Sequence, residues 1–137
     1  MAASAPLPFP VKRLPLRILI ADDNQSMRTA IRRVLEDLPN TEVCAVATDG
    51  REAIEMALTL KPDLLIVDLV MPGLSGVEVI GVIKKKLRTA KFILFTMYED
   101  KVGKFLTTSA GADVVIEKSK GLSALTEKIE AIIAEIG

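Results

Sequence analysis

The sequence predicts an α/β domain built on a doubly wound, five-stranded parallel sheet with five helices, and two observations carry that prediction. Short apolar runs alternate five times with segments of helical periodicity, an order that favours parallel strands, right-handed crossovers and helices on both faces. The third run, Asp63-Leu64-Leu65-Ile66-Val67, stays apolar up to Asp68 and then breaks into Met71-Pro72-Gly73. A strand so continuously apolar is covered on both faces, and an acid at its end is lifted to the carboxyl edge of the sheet, where ligands bind in open α/β folds.

Each element follows from its own pattern. Leu16–Ala21 reads as the first strand and runs into Asp22-Asp23. Met27, Ala30, Ile31, Val34, Leu35 and Leu38 then share one helical face, with Asn24 or Ser26 as N-cap and Pro39-Asn40 as the stop. Val43–Ala47 is a short second strand, and Gly50–Leu60 is a helix stopped before Pro62. Asp63–Val67 forms the third strand and Gly76–Leu87 the third helix. Lys84, Lys85, Lys86 and Arg88 near that helix's end suit the negative pole of its dipole, so they read as a solvated terminus rather than a nucleic-acid patch. Lys91–Thr96 is the fourth strand, Asp100–Ala110 a helix closed by Gly111, and Asp113–Ile116 the fifth strand, ending at Glu117-Lys118. The last helix spans about Leu122–Ile136, with Leu122, Leu125, Ile129, Ile132, Ile133 and Ile136 on its inner face.

Composition bounds the function. A chain of 137 residues makes one domain, and with four Phe and one Tyr its core must be aliphatic. Zero net charge argues against general polyanion binding. The single cysteine, Cys44, forms no internal disulfide and suits a reducing cytoplasm, where it packs as a small apolar side chain. There is no histidine, which excludes a phosphohistidine carrier and the commonest general base. Residues 1–15 form a Pro-rich N-terminal extension whose Pro6, Pro8, Pro10 and Pro15 interrupt any signal-peptide core. They read as a flexible or polyproline-like leader, with docking by Leu7, Phe9 and Val11 as the alternative. No apolar stretch is long enough to span a membrane. Residues 16–137 are the folded domain.

Five polar residues fall at the carboxyl ends of the strands: Asp22 and Asp23 after the first, Asp68 after the third, Thr96 on the fourth and Lys118 after the fifth. Singly, each has a bland explanation: a helix N-cap, a good strand residue, a solvated lysine. Together they place several carboxylates side by side, which repel unless a cation or proton joins them. A hard divalent ion such as Mg²⁺, bound by one or two carboxylates and phosphate oxygens, resolves that repulsion.

Ala21-Asp22-Asp23-Asn24, Val67-Asp68 with Met71-Pro72-Gly73-Leu74-Ser75-Gly76, then Thr96 and Lys118, resemble the receiver domain of two-component response regulators over Leu16–Ile136. Phe95-Thr96-Met97-Tyr98-Glu99-Asp100 is similar to receivers that carry a helix-turn-helix output domain. The resemblance implies the CheY-like (flavodoxin-like) strand order 2-1-3-4-5. It implies Asp68 as the phosphoacceptor, Mg²⁺ held by Asp22, Asp23, Asp68 and the Val70 backbone carbonyl, Lys118 on a phosphoryl oxygen, and Thr96 as the switch trigger. The implied donor is a sensor histidine kinase or phosphotransfer protein. The expected role is a cytoplasmic phosphorelay switch, not an enzyme in its own right, and either a single-domain regulator or the receiver of a longer one. Direct nucleic-acid or membrane binding by this chain is not expected. A homodimer is open through the first and last helices or through the face of the Asp100–Ala110 helix.

One position departs from the family pattern. Three residues before Lys118, where these receivers place Tyr or Phe, stands Val115, which puts the usual aromatic read-out in doubt. The alternative is a receiver-like interaction module that works without phosphorylation, although such modules commonly lose one of the five polar residues. A flavodoxin-like or phosphohydrolase enzyme is weaker, because no Gly-rich loop follows the first strand and the acids there are an adjacent pair.

Overall fold

The apolar run that ends at Asp68 forms the central strand of the sheet. In the computed structural model, residues 14–97 and 111–136 are described. Their elements are β1 (Leu16–Ala21), α1 (Gln25–Glu36), β2 (Thr41–Ala47), α2 (Gly50–Leu60), β3 (Leu64–Val67), α3 (Gly76–Lys86), β4 (Lys91–Thr96), β5 (Val114–Glu117) and α4 (Gly121–Ile136). The helix expected at Asp100–Ala110, and with it the dimer face considered there, lies outside the described residues. All strand pairs are parallel and the order is β2-β1-β3-β4-β5, as expected.

Successive strand residues face opposite sides of the sheet, and the two sides bury separate, largely aliphatic layers with one Phe in each. Leu19, Ala21, Leu65, Val67, Phe92 and Leu94 pack with Ala53 and Ala57 of α2 and Val79, Ile80 and Ile83 of α3. Ile18, Ile20, Leu64, Ile66, Ile93 and Phe95 pack with Ile31 and Leu35 of α1 and Leu125, Ile129 and Ile132 of α4. Covering both faces is what allows β3 to be apolar at every position.

The starts of α1, α2 and α3 are fixed by side-chain caps. Of the two candidates for α1, Asn24 is the cap: its Oδ1 accepts from the Met27 N–H at 2.8 Å. Asp49 caps α2 by accepting from Glu52 N–H, and Ser75 forms a reciprocal capping box with Glu78 on α3. Most boundaries shift from the sequence reading by one or two residues, as at Leu64, Lys86 and Val114, and two of the differences have a visible cause. β2 begins at Thr41, whose hydroxyl donates to the Leu35 and Leu38 carbonyls and so ties the strand's start to the end of α1. A 3₁₀ turn, Lys118–Lys120, separates β5 from α4. The ladder between β1 and β2 slips by one residue between Ile18 and Leu19, leaving Cys44 as the extra residue of β2. Burial raises the Cys44 thiol above its usual range.

Helices α2 and α3 meet at Gly50, where an added Cβ would stand 2.8 Å from Leu74 Cβ and 2.8 Å from Val79 Cγ2. Gly50→Ala is expected to lower stability by about 1–3 kcal/mol through overpacking, although alanine is the better helix former. Urea unfolding checks this: the midpoint falls and the slope does not change.

Candidate functional site

The chain reverses its lateral direction across the sheet at β1 and β3, which lie side by side with β2 on the outer side of β1. Such a switch point leaves a crevice beyond the carboxyl ends of the two strands. Ala21 pairs with Val67, and the Asp68 N–H donates to the Ala21 carbonyl at 2.9 Å, so the next residues, Asp22 and Asp68, emerge as neighbours. On the other side Val67 pairs with Leu94, and Thr96 pairs with Glu117, the residue before Lys118. Thr96 is therefore buried at the strand end beside Lys118.

One carboxylate oxygen from each of Asp22, Asp23 and Asp68 lies within 4.8 Å of the others. Asp22 is almost wholly buried and Asp23 exposed. The Lys118 ammonium donates to Asp22 Oδ2 at 2.7 Å and stands 3.3 Å from Asp68 Oδ2, bridging strand ends far apart in sequence. The other Asp22 oxygen accepts from the Asn24 N–H at 2.9 Å. Burial, and then the neighbouring Asp22 charge, push the Asp68 carboxyl above its ordinary range. Lys118 and the Val70 N–H oppose that shift only in part. Three hard oxygen donors this close, one of them poorly stabilised as an anion, fit a small divalent cation such as Mg²⁺.

The loop after β3 holds Asp68 in place from beneath. Gly76 N–H donates to the Leu69 carbonyl at 2.7 Å, and a Cβ on Gly76 would fall 2.3 Å from the Asp68 carbonyl oxygen. Only glycine allows α3 to start this close under the acid. The rim is apolar: Val70 is 53% exposed and Met97 70%. Of the residues singled out in the sequence, Asp22, Asp23, Asp68 and Lys118 are brought together, Thr96 lies at the adjoining strand end, and Val70 meets Asp68 through its N–H. Two contacts were not read from the sequence. Gly76 is one, and its signal was the second glycine of the Pro72–Gly76 turn. The other is Arg28, whose Nη1 donates to the Asp22 carbonyl at 2.9 Å. Its signal was a cation near the start of a helix that has no acid in its first turn.

The profile of the response regulator receiver domain matches residues 18–130. The nitrate/nitrite response regulator NarP of Escherichia coli is 35% identical over 85% of this chain and 54% of its own length. A protein-glutamate methylesterase/protein-glutamine glutaminase of Geobacter metallireducens is 39% identical over 90% of this chain and 33% of its own. The chain thus spans about half the length, or less, of these curated relatives. Among solved structures, a LuxR-family two-component response regulator from Aurantimonas superposes with a TM-score of 0.80 at 33% identity, covering 87% of this chain and 85% of that one. The response regulator domain of Thermotoga maritima CheB gives 0.77 at 28% identity, over 87% and 96%. Among the described residues no helix is long and apolar enough to cross a membrane.

The raised Asp68 carboxyl has a thermodynamic consequence. The folded state holds that proton to higher pH than the unfolded chain does, so stability falls as pH rises through the window between the two pKa values. Asp68→Asn removes the penalty. In metal-free buffer at pH 7 the variant is expected to melt above wild type, and the difference should vanish below about pH 3, where the carboxyl is protonated in both states. Calorimetry across that range checks it.

Proposed function

The chain belongs to the response regulator receiver domain family of two-component systems, and from that premise we propose that it is a phosphoacceptor switch with Asp68 as the acceptor. The observation that carries the reading is the buried Asp22–Lys118–Asp68 bridge beside the exposed Asp23. In the proposed step an Asp68 carboxylate oxygen attacks the phosphorus of a phosphohistidine on a histidine kinase or phosphotransfer protein. The O–P bond forms as the N–P bond breaks, and the departing imidazole nitrogen keeps the bonding pair and takes up a proton.

Asp22, Asp23 and Asp68 would hold Mg²⁺, with the Val70 backbone carbonyl as a fourth protein ligand. Bound there, the ion supplies positive charge against the oxygens of the transferring group. Lys118 releases Asp22 and pairs with a phosphoryl oxygen, its ammonium already poised between the two acids. Thr96, at the strand end next to Lys118, donates its hydroxyl to another phosphoryl oxygen and acts as the trigger. Gly76 and the Leu69 carbonyl keep the Asp68 backbone fixed while the carboxylate reacts. The chain accepts a group and assists its transfer and loss, rather than turning over a separate substrate. We place it in the cytoplasm, with a kinase or phosphotransfer protein as donor and a second copy as a candidate partner across α1 and α4.

Val115 favours a specific variation on this reading. It pairs with Leu94 and packs, half-buried, against the layer that contains Phe92 and Leu94. A short branched side chain there sweeps less volume than a ring, so coupling from Thr96 to the outer face of β5 is weaker or rerouted. The phosphorylation-independent module is the second reading, and it rests on this same residue.

Incubation with Mg²⁺ and a small acyl-phosphate donor should add one phosphate to the protein mass, and Asp68→Asn should abolish the addition. Asp23→Ala should lose Mg²⁺ binding, by titration, with the fold intact. An increment indifferent to Asp68→Asn, or none in the wild type, overturns the acceptor reading.

A further inference from the structure

Arg28 contacts the acid cluster through the backbone rather than through a carboxylate. Its Nη1 donates to the carbonyl oxygen of Asp22 at 2.9 Å, and the side chain is half-buried. That carbonyl belongs to the planar peptide unit that joins Asp22 to Asp23. Fixing its direction therefore fixes the plane from which the Asp23 side chain departs. The remaining polar atoms of Asp22 are also engaged: N–H to the Ala47 carbonyl, Oδ1 to the Asn24 N–H, and Oδ2 to Lys118. With Arg28 in place every polar atom of Asp22 has a partner, while Asp23 is exposed and takes its direction from the peptide that joins the two.

Helix geometry explains why an arginine at this position can do this. Side chains tilt toward the helix N-terminus, so the fourth residue of α1 reaches back over the loop that precedes the helix. The same location makes the cation unfavourable for the helix itself, because the start of a helix carries partial positive charge. A residue that opposes its own helix dipole and lands on the one carbonyl between two acids is accounted for by that contact.

We propose that Arg28 is a positioning residue for the Asp22–Asp23 pair, presetting the two carboxylates for a divalent cation. The proposal rests on the metal-binding reading of the site given above. Two roles for Arg28 predict opposite signs. If the guanidinium acted only as a nearby positive charge, removing it would tighten cation binding. If it orients the peptide, removing it loosens the site, by about tenfold as for other groups that orient metal ligands from behind.

The test is a Mg²⁺ titration of the full chain followed by amide NMR shifts, for wild type, Arg28→Gln, Arg28→Ala and Arg28→Lys. Thermal melting without metal serves as the control for folding. The expected result is about tenfold weaker binding in Arg28→Gln and Arg28→Ala, with Arg28→Lys, which can still donate to the carbonyl, within about threefold of wild type. Unchanged or tighter binding in Arg28→Gln overturns the proposal. If Arg28→Gln and Arg28→Ala melt far below wild type, all titrations are run at a temperature below the onset of melting of every variant, where the same opposite signs decide between the two roles. A wild type that binds no Mg²⁺ overturns the metal-binding reading itself and the role of Arg28 with it, a result distinct from one confined to the variants.

Discussion

The crowding of three carboxylates at one strand edge is the constraint from which the rest of the site follows. Acids this close raise one another's energy unless something positive stands between them. In the structure that role belongs to the Lys118 ammonium, shared between two buried acids at 2.7 and 3.3 Å. The ammonium donates to Asp22 and stands farther from Asp68, and it is the Asp68 carboxyl that is pushed up. A raised buried carboxyl costs the fold stability, a cost commonly found at functional positions.

The scaffold supplies what such a cluster needs. Parallel strands in register bring Asp22 and Asp68 level, two aliphatic layers keep the sheet from yielding, and Gly76 brings α3 up beneath the Asp68 carbonyl. Around this rigid base, the exposed Asp23 and the apolar rim of Val70 and Met97 are the parts left in contact with solvent. The site is fixed from below and open from above.

Much of this was legible in the residue order. The apolar continuity of Leu64–Val67 marked a central strand, and Asp22, Asp23, Asp68, Thr96 and Lys118 were recognisable because strand ends announce themselves by a change from apolar to polar. What stayed hidden depends on three-dimensional reach. That Lys118 rests on Asp22 as well as Asp68 requires knowing the strand order, which local pattern does not encode. The Arg28 contact requires the direction in which a helical side chain leans. The start of β2 at Thr41 came from a hydroxyl tied to the end of α1, an interaction that makes no periodic mark.

The one-residue slip at Cys44 bears on how copies of this domain meet. Edge strands offer unpaired backbone groups to any neighbouring chain, and the flat, long ones are the hazard. Here one edge, β2, is broken by the slip and the other, β5, is four residues long. Neither makes a good template for strand addition, so the sheet is closed to growth by its own irregularity. Any association between copies would thereby be steered away from the backbone and toward helical side chains.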